Sequence, residues 1–306
     1  MPGRIVHWSL NVARLTILVV LLLFVVSHLA HAEPPIRFGL TKAVFVDESV
    51  AYEQWGHYLE KRLGRPVQFV QKRSYHEIQQ LLRLGELDFA WICGDPYVRG
   101  LKEGILRYVS TPMINNKPSY RIYLIVPAMS SAKTLEDLKG GIFAFSDPDS
   151  VSFQALVGGY LRSKREAIGE LDSFFKVHFF TYNHVNTVMA VADKMADGGS
   201  VDGHVWEELT KQFPELTKKT KVIARSEHYG LPPIVASWRV KNHLVERMKS
   251  VLIDMNDNQN GLEILGHLQS SRFSDMDDTL YDSIRNGPAQ FPLESGRFHP
   301  GTPRTP

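Results

Sequence analysis

The chain has 306 residues, 43% apolar and 22% charged, with 35 Lys and Arg against 33 Asp and Glu. A formal charge of +2 leaves no basic surface of the kind nucleic acids require, so that class of partner is set aside. Cys93 is the only cysteine, so no intrachain disulfide braces the fold and the apolar core must hold it.

The first 32 residues read as a separate unit. Arg4 and Arg14 give a positive start, Leu15 to Val26 is an apolar run, and Ala30-His31-Ala32 is an A-x-A cleavage pattern. This is the pattern of a secretory signal peptide cleaved after Ala32, which puts the rest of the chain in the periplasm. The run falls short of the roughly 20 residues a membrane span needs, although an uncleaved anchor is the alternative. Arg4 and Arg14 are the leader's only charged side chains, so the mature part carries 35 − 2 = 33 basic against 33 acidic residues.

From Glu33 the pattern alternates. Ile36 to Leu40 reads as a strand, followed by a helix that Asp47 to Ser49 would cap, with Tyr52, Trp55, Leu59 and Leu63 on one face. Pro66 to Val70 is a second strand, and Ser74 caps a helix that Gly85 ends. Asp88 to Cys93 is a third strand and Leu106 to Val109 a fourth. Thr41, Cys93, Gly94 and Tyr97 all lie at carboxyl ends of strands, where ligands gather in such sheets.

Ser119 to Pro127 reads as a long strand crossing into a second lobe, and T-L-E-D-L-K from Thr134 as a short capped helix. Phe174 to Phe180 is a strand, Val185 to Ala192 a helix ending before Gly198-Gly199, Val201 to Trp206 a strand with a helix start, and Val222 to Arg225 a strand. Leu231 to Val240 reads as the return crossing. Helices over Asn242 to Met255, Gly261 to Leu268 and Asp275 to Arg285 would pack back on the first lobe. The tail from Asn286 holds five prolines and three glycines, a composition of disorder. Strands alternating with helices imply βαβ units. The expected architecture is α/β, two lobes joined by two crossover hinge strands: 33–118, 119–233 and the return part 234–287, with a disordered tail at 288–306.

The stretch Gly141 to Ser163 organises the second lobe. Ile142 to Phe145 is a buried strand, Asp147-Pro148-Asp149 a turn, and Ser150 or Ser152 the N-cap of a helix carrying Phe153, Leu156, Val157, Tyr160 and Leu161. Free N–H groups, two hydroxyls and the positive end of a helix dipole then meet at one point, which suits an anion. An ordinary capped helix has the same signature.

Several segments together resemble one group, the phosphonate-type substrate-binding proteins of ABC transporters. They are F-G-L-T from Phe38, Y-L-E-K-R-L-G-R-P-V, S-Y-H-E-I from Ser74, L-R-L-G-E-L-D-F-A-W-I-C-G-D-P-Y-V, T-L-E-D-L-K-G and F-A-F-S-D-P-D-S-V-S. The resemblance spans about Ile36 to Trp206. It implies the two-lobed type II periplasmic-binding fold and a tetrahedral oxyanion held at Ser150, Val151 and Ser152. His184 and Asp202 would complete that lobe's share, and Tyr97, with Tyr75 and Tyr120, would form an aromatic wall opposite, next to Thr41. Val151 and Phe153 depart from the group's Ser-Thr-Ser-Gly, and Asn183-His184-Val185 from its Ser-His-Asp.

Asp202 would pair with an amine if the ligand carried one. Cys93 divides two readings: a small buried hydrophobe, or the thiol that takes the metalloid in a related group of arsenite sensors. The expected ligand is a phosphonate, phosphite or phosphate-like anion. The expected partner is an ABC permease or, alternatively, a membrane sensor kinase, and the chain itself is expected to be a monomer. Catalysis is the weaker reading. Ser150, His184 and Asp202 are the residue types of a triad, but no G-x-S-x-G elbow, H-E-x-x-H or phosphate loop accompanies them. No metal or cofactor is expected, since the histidines are scattered and the glycine pairs at 140, 158 and 198 lack the G-x-G-x-x-G form.

Overall fold

In the computed structural model, residues 33–41, 49–155 and 171–287 are described. The leader, the caps expected at Asp47 and Glu48, the helix face from Leu156 to Leu161 and the tail from 288 lie outside them. The chain divides into a unit ending at Pro35 and a second beginning at Ile36. Of the first, Glu33–Pro35 are described, exposed and without regular structure. No helix among the described residues is long and apolar enough to cross a membrane.

The second unit is built on two sheets. β1 (Ile36–Thr41), β2 (Val67–Lys72), β3 (Phe89–Trp91) and β4 (Leu106–Met113) open the chain. β5 (Ser119–Pro127), β6 (Ile142–Phe145), β7 (Val177–Phe180), β8 (Gly198–Asp202) and β9 (Thr220–Gly230) follow, and β10 (Ile234–Ser237) and β11 (Arg272–Ser274) return. The first sheet has the order β11-β4-β10-β3-β1-β2 and the second β7-β6-β8-β5-β9. Each has a parallel trio, β2-β1-β3 and β7-β6-β8, extended by an antiparallel strand, β10 or β5. Both halves therefore aim the carboxyl ends of their parallel strands at ligands in the manner of open α/β sheets.

Local chemistry sets these elements. Ser74 Oγ accepts from the Glu77 N–H at 3.3 Å while Glu77 Oε2 accepts from the Ser74 N–H at 3.0 Å, a reciprocal cap on the helix Tyr75–Leu84. Gly85 ends that helix at φ 71, a conformation that a Cβ disfavours. In the first half Trp55 is fully buried among Phe38, Phe69, Trp91 and Phe273, with ring centroids 5.1–6.2 Å apart. In the second, Phe143, Phe145, Phe153 and Phe175 do the same at 4.6–6.1 Å. Each buried ring of this size contributes about 1.5–3 kcal/mol.

Several elements differ from expectation, among them the strand expected from Phe174, which begins at Val177 after the helical turn Leu171–Phe174. Ser119–Pro127 is an internal strand of the second sheet, and the passage between halves is the short turn 114–118 just before it. The return passage is 231–233, after which Ile234–Ser237 sits between β3 and β4 of the first sheet. Gly198 and Gly199 belong to β8, because a Cβ on Gly199 would meet Thr187 and Val191 of the helix packed across it, at 2.9 and 3.1 Å. Arg272–Ser274 pairs with β4 where no strand is predicted, and Asp275 to Arg285 is a 3-10 turn at Asp278–Tyr281 plus the single helical turn Asp282–Arg285.

Candidate functional site

The turn after β6 builds the first part of the site. Asp147 Oδ1 accepts from the Asp149 N–H at 2.8 Å, which closes the Asp-Pro-Asp turn. Ser150 is the cap: its Oγ accepts from the Phe153 N–H at 3.1 Å, and residues 151–155 are helical. Ser146, Ser150 and Ser152 are all buried, and their hydroxyl oxygens lie 2.9–3.3 Å from one another. Ser150 Oγ also donates to the Asp147 carbonyl at 2.8 Å. The Val151 N–H, the group expected to meet an anion, points at Cys93 Sγ, 3.4 Å away across the cleft. Main-chain donor and serine hydroxyls are thus pre-aimed and mutually satisfied.

Several unsatisfied groups lie on and around β8. His184 opens the helix His184–Ala192, and Asn183 rather than His184 is its cap, accepting from Val185 and Asn186 N–H at 2.7 and 3.2 Å. That frees the imidazole to turn inward. His184 Nδ1 accepts from the Asp202 N–H at 3.2 Å, which leaves the neutral ring's proton on Nε2. Nε2 stands 3.4 Å from Asp202 Oδ2 without forming a hydrogen bond. Both Asp202 carboxyl oxygens, His184 Nε2, Tyr120 Oη, Ser200 Oγ and His204 Nδ1 are buried polar atoms without a hydrogen bond of good geometry, although the Tyr120 hydroxyl lies close enough to Asp202 to hold its carboxyl partly down. Such atoms are rare in folded proteins, and a cluster of them marks a place where a polar guest is satisfied.

Burial dominates the electrostatics. It raises the Asp202 carboxyl to about 8 and lowers the imidazoles of His184 and His204 to about 3 and about 4. All three are neutral at pH 7. No lysine or arginine figures among the groups that shift them.

The first half supplies the opposite wall. Burial raises the phenol of Tyr75 well above the ordinary range, as it does that of Tyr120, which sits on β5 of the second sheet and not on the opposite wall where the resemblance puts it; Cys93 and Asp202 are close enough to add to both shifts. Thr41 is near enough to bond the Tyr75 hydroxyl, and the two share a cavity of about 20 Å³ with Trp91 and Pro232. Cys93 is 1% exposed and its thiol is pushed up by burial, so it is a protonated, inert group as the structure stands. Tyr97 does not join this set. Its hydroxyl donates to Asp278 at 2.7 Å, and its ring packs edge-on against Tyr281, centroids 4.7 Å apart.

The halves also touch at the mouth. Asp147 Oδ2 accepts from the Tyr75 N–H at 3.2 Å, Asp149 pairs with Arg99 at 2.8 Å and faces His76 at 3.7 Å, and Arg73 lies over the Tyr182 ring at 4.1 Å. Sequence reasoning missed Ser146, Ser200 and His204. Ser146 stands in the quoted F-S-D-P-D-S segment. Strand alternation puts Ser200 on the same face of β8 as Asp202 and would have found it. Among the described residues no group of His, Cys, Asp and Glu is arranged to hold a metal ion.

The family profile for the periplasmic substrate-binding proteins of phosphonate ABC transporters matches residues 44–281. The phosphonates-binding periplasmic protein of Escherichia coli K12 is 28% identical over 236 residues, which cover 74% of this chain and 67% of that one. The fold is that of a binding-protein component of an ABC phosphonate transporter from Pseudomonas aeruginosa, with a TM-score of 0.73, 23% identity, and 83% and 85% of the two chains covered. It is also that of PhnD1 from Prochlorococcus marinus, solved with methylphosphonate, with a TM-score of 0.70, 20% identity, and 82% and 96% covered.

Proposed function

The chain belongs to the family of periplasmic substrate-binding proteins of phosphonate ABC transporters, and from that premise we propose that it closes on a small phosphorus oxyanion and delivers it to a membrane permease. The phosphonate, phosphite and phosphate class is the ligand set that fits. The observation that carries this is the cluster of orphaned buried atoms at His184, Asp202, Tyr120 and Ser200, beside three buried serines and the Val151 N–H.

Ser150, Val151 and Ser152 hold the oxygens in this reading, with Val151 contributing its N–H alone. His184 Nε2 and the Tyr120 hydroxyl add donors, and Tyr75, Thr41 and Cys93 cover the anion from the first half. The anion takes over bonds that the serines now make to each other, so binding energy comes from donors already in place in a site that sheds water on closing. Tyr97 supports that wall from behind rather than touching the ligand. The leader would be removed after Ala32, the lobes would divide at about 118 and 233, and the released protein would act as a periplasmic monomer that binds without catalysis.

Calorimetric titration of residues 33–306 with methylphosphonate, phosphite, phosphate and sulfate tests the reading. A phosphorus oxyanion should bind and add RT ln(1 + [L]/Kd) to the stability, about 2.7 kcal/mol at a hundredfold excess over Kd, and so raise the melting temperature. Absence of heat and of any shift with all four would remove it.

A further inference from the structure

The Asp202 carboxyl is an unusual neighbour for an anion. It ends β8 with both oxygens buried and without a well-formed bond, the Tyr120 hydroxyl being its one near donor. The groups around it are His184 from the helix beside β8, Tyr120 from β5 with His204 edge-on to its ring at 5.2 Å, and Tyr75 and Cys93 from the first half. None is a cation at neutral pH, and an ionised carboxylate buried without one is strongly disfavoured. Burial accordingly holds the proton on Asp202 up to about 8.

Two guests would satisfy this carboxyl in opposite ways. A ligand ammonium would ionise it, but an ammonium presents three protons and Asp202 is the one carboxyl among the unpartnered buried atoms, Asp147 being already bonded to the Tyr75 and Asp149 N–H groups. An anion would instead meet a ring of donors: His184 Nε2–H, the hydroxyls of Tyr120 and Ser200, and the proton of Asp202 itself. Two adjacent negative charges cannot both persist in such a site, so one proton must stay between them.

Resting on the oxyanion reading above, we infer that Asp202 acts as a protonated hydrogen-bond donor to the bound anion and not as an ammonium partner. It thereby selects simple oxyanions and alkylphosphonates over aminoalkylphosphonates.

The test is titration of methylphosphonate and 2-aminoethylphosphonate from pH 6.5 to 9.5, in the wild-type protein and in Asp202→Asn. Asparagine keeps an N–H donor and cannot ionise, and the ligand's own titration is common to both proteins. The wild-type to variant ratio of methylphosphonate affinities should hold steady to about pH 8 and then drop about tenfold per unit. The aminoethyl ligand should bind more weakly and decline in parallel. An aminoethyl affinity that climbs as Asp202 ionises, or a ratio that is flat throughout, would overturn the inference while methylphosphonate still binds. Binding of neither ligand at any pH would instead bring down the oxyanion reading and the inference with it. If the variant fails to fold, the two wild-type profiles decide the matter alone, since the donor role makes them fall together and the ammonium role makes them diverge.

Discussion

At the carboxyl edge of the second sheet, His184, Asp202, Ser200 and the flanking Tyr120 present buried polar atoms without partners. At the corresponding edge of the first sheet most of the polar groups near the cleft have partners, with Ser110 Oγ on β4 an exception. Tyr97 donates to Asp278, Gln79 donates to the Pro96 carbonyl, and Cys93 receives the Val151 N–H. The two halves share one strand plan, a parallel trio plus an inserted antiparallel strand. Topology therefore places both edges at the cleft but does not decide what either does. Satisfaction of polar atoms is what separates them, and it underlies the proposal that the second half recognises and the first half covers.

The sharpest way to break that division is to strip the recognising edge. Ser150→Ala with Ser152→Ala removes two hydroxyls that would bond a charged ligand. At about 1.5–3 kcal/mol each, affinity for a phosphorus oxyanion should fall at least a hundredfold by calorimetry. Loss of the Ser150 cap should cost about 1 kcal/mol of stability, so the variant should still melt cooperatively. Retained affinity would mean that the first half recognises after all.

Asp202 tests the same edge without ligand. Its carboxyl sits at about 8 in the folded protein against an ordinary 3.8. Between those values the unfolded chain binds fewer protons than the folded one, so this group makes stability fall as pH rises from about 4 to about 8. His184 and His204, lowered to about 3 and about 4, work in the opposite sense, because an unfolded imidazole is still half protonated at about 6.5 and sheds its proton only by about 7.5. From pH 6.5 to 8 the Asp202 loss of about 1.7 kcal/mol is offset by about 0.8 from the two histidines, so the ligand-free protein should lose about 1 kcal/mol in denaturant melts, and Asp202→Asn should abolish or reverse that slope. An equal slope in both proteins would assign it elsewhere.

Tyr97 marks the boundary of the comparison. Tyr97→Phe removes a donor to Asp278 on the covering side, so stability should drop by about 1 kcal/mol while oxyanion affinity changes less than about twofold. A large loss of affinity would move Tyr97 into the recognising set.

The sequence made much of this legible, and unevenly. The Ser150 cap, the Asp-Pro-Asp turn and the βαβ alternation depend on neighbours within a few residues, and they stand in the structure where the pattern puts them. The destination of the Tyr97 hydroxyl depends on Asp278, 181 positions along the chain, and no local pattern reports that. The strand Arg272–Ser274 is similarly invisible, since its one apolar residue, Phe273, is buried by Trp55 and Trp91 from distant elements. Asp202 entered by family resemblance. Its protonation did not, because burial by Tyr75, Cys93 and Tyr120 exists only once two sheets have met.

The mouth contacts offer the smallest and finest test. Asp149 is largely buried, yet its partners Arg99 and His76 are 43% and 65% exposed, so water screens both interactions. These contacts join the halves and exist only while the halves are together, so they bias closing rather than recognition. Exposed pairs of this kind contribute about 0.2–1 kcal/mol, and Asp149→Ala should weaken oxyanion binding by about two- to fivefold. Because the Debye length is about 8 Å at 0.15 M ionic strength and shortens with added salt, wild-type affinity should itself drift down by a similar factor in high salt. The variant should lack that drift, since the Asp147 bond to the Tyr75 N–H persists in both. A hundredfold loss in Asp149→Ala would show that covering and recognising are not separable between the halves. A salt response shared by both proteins would place the screening in the ligand site and leave the mouth without influence on closing.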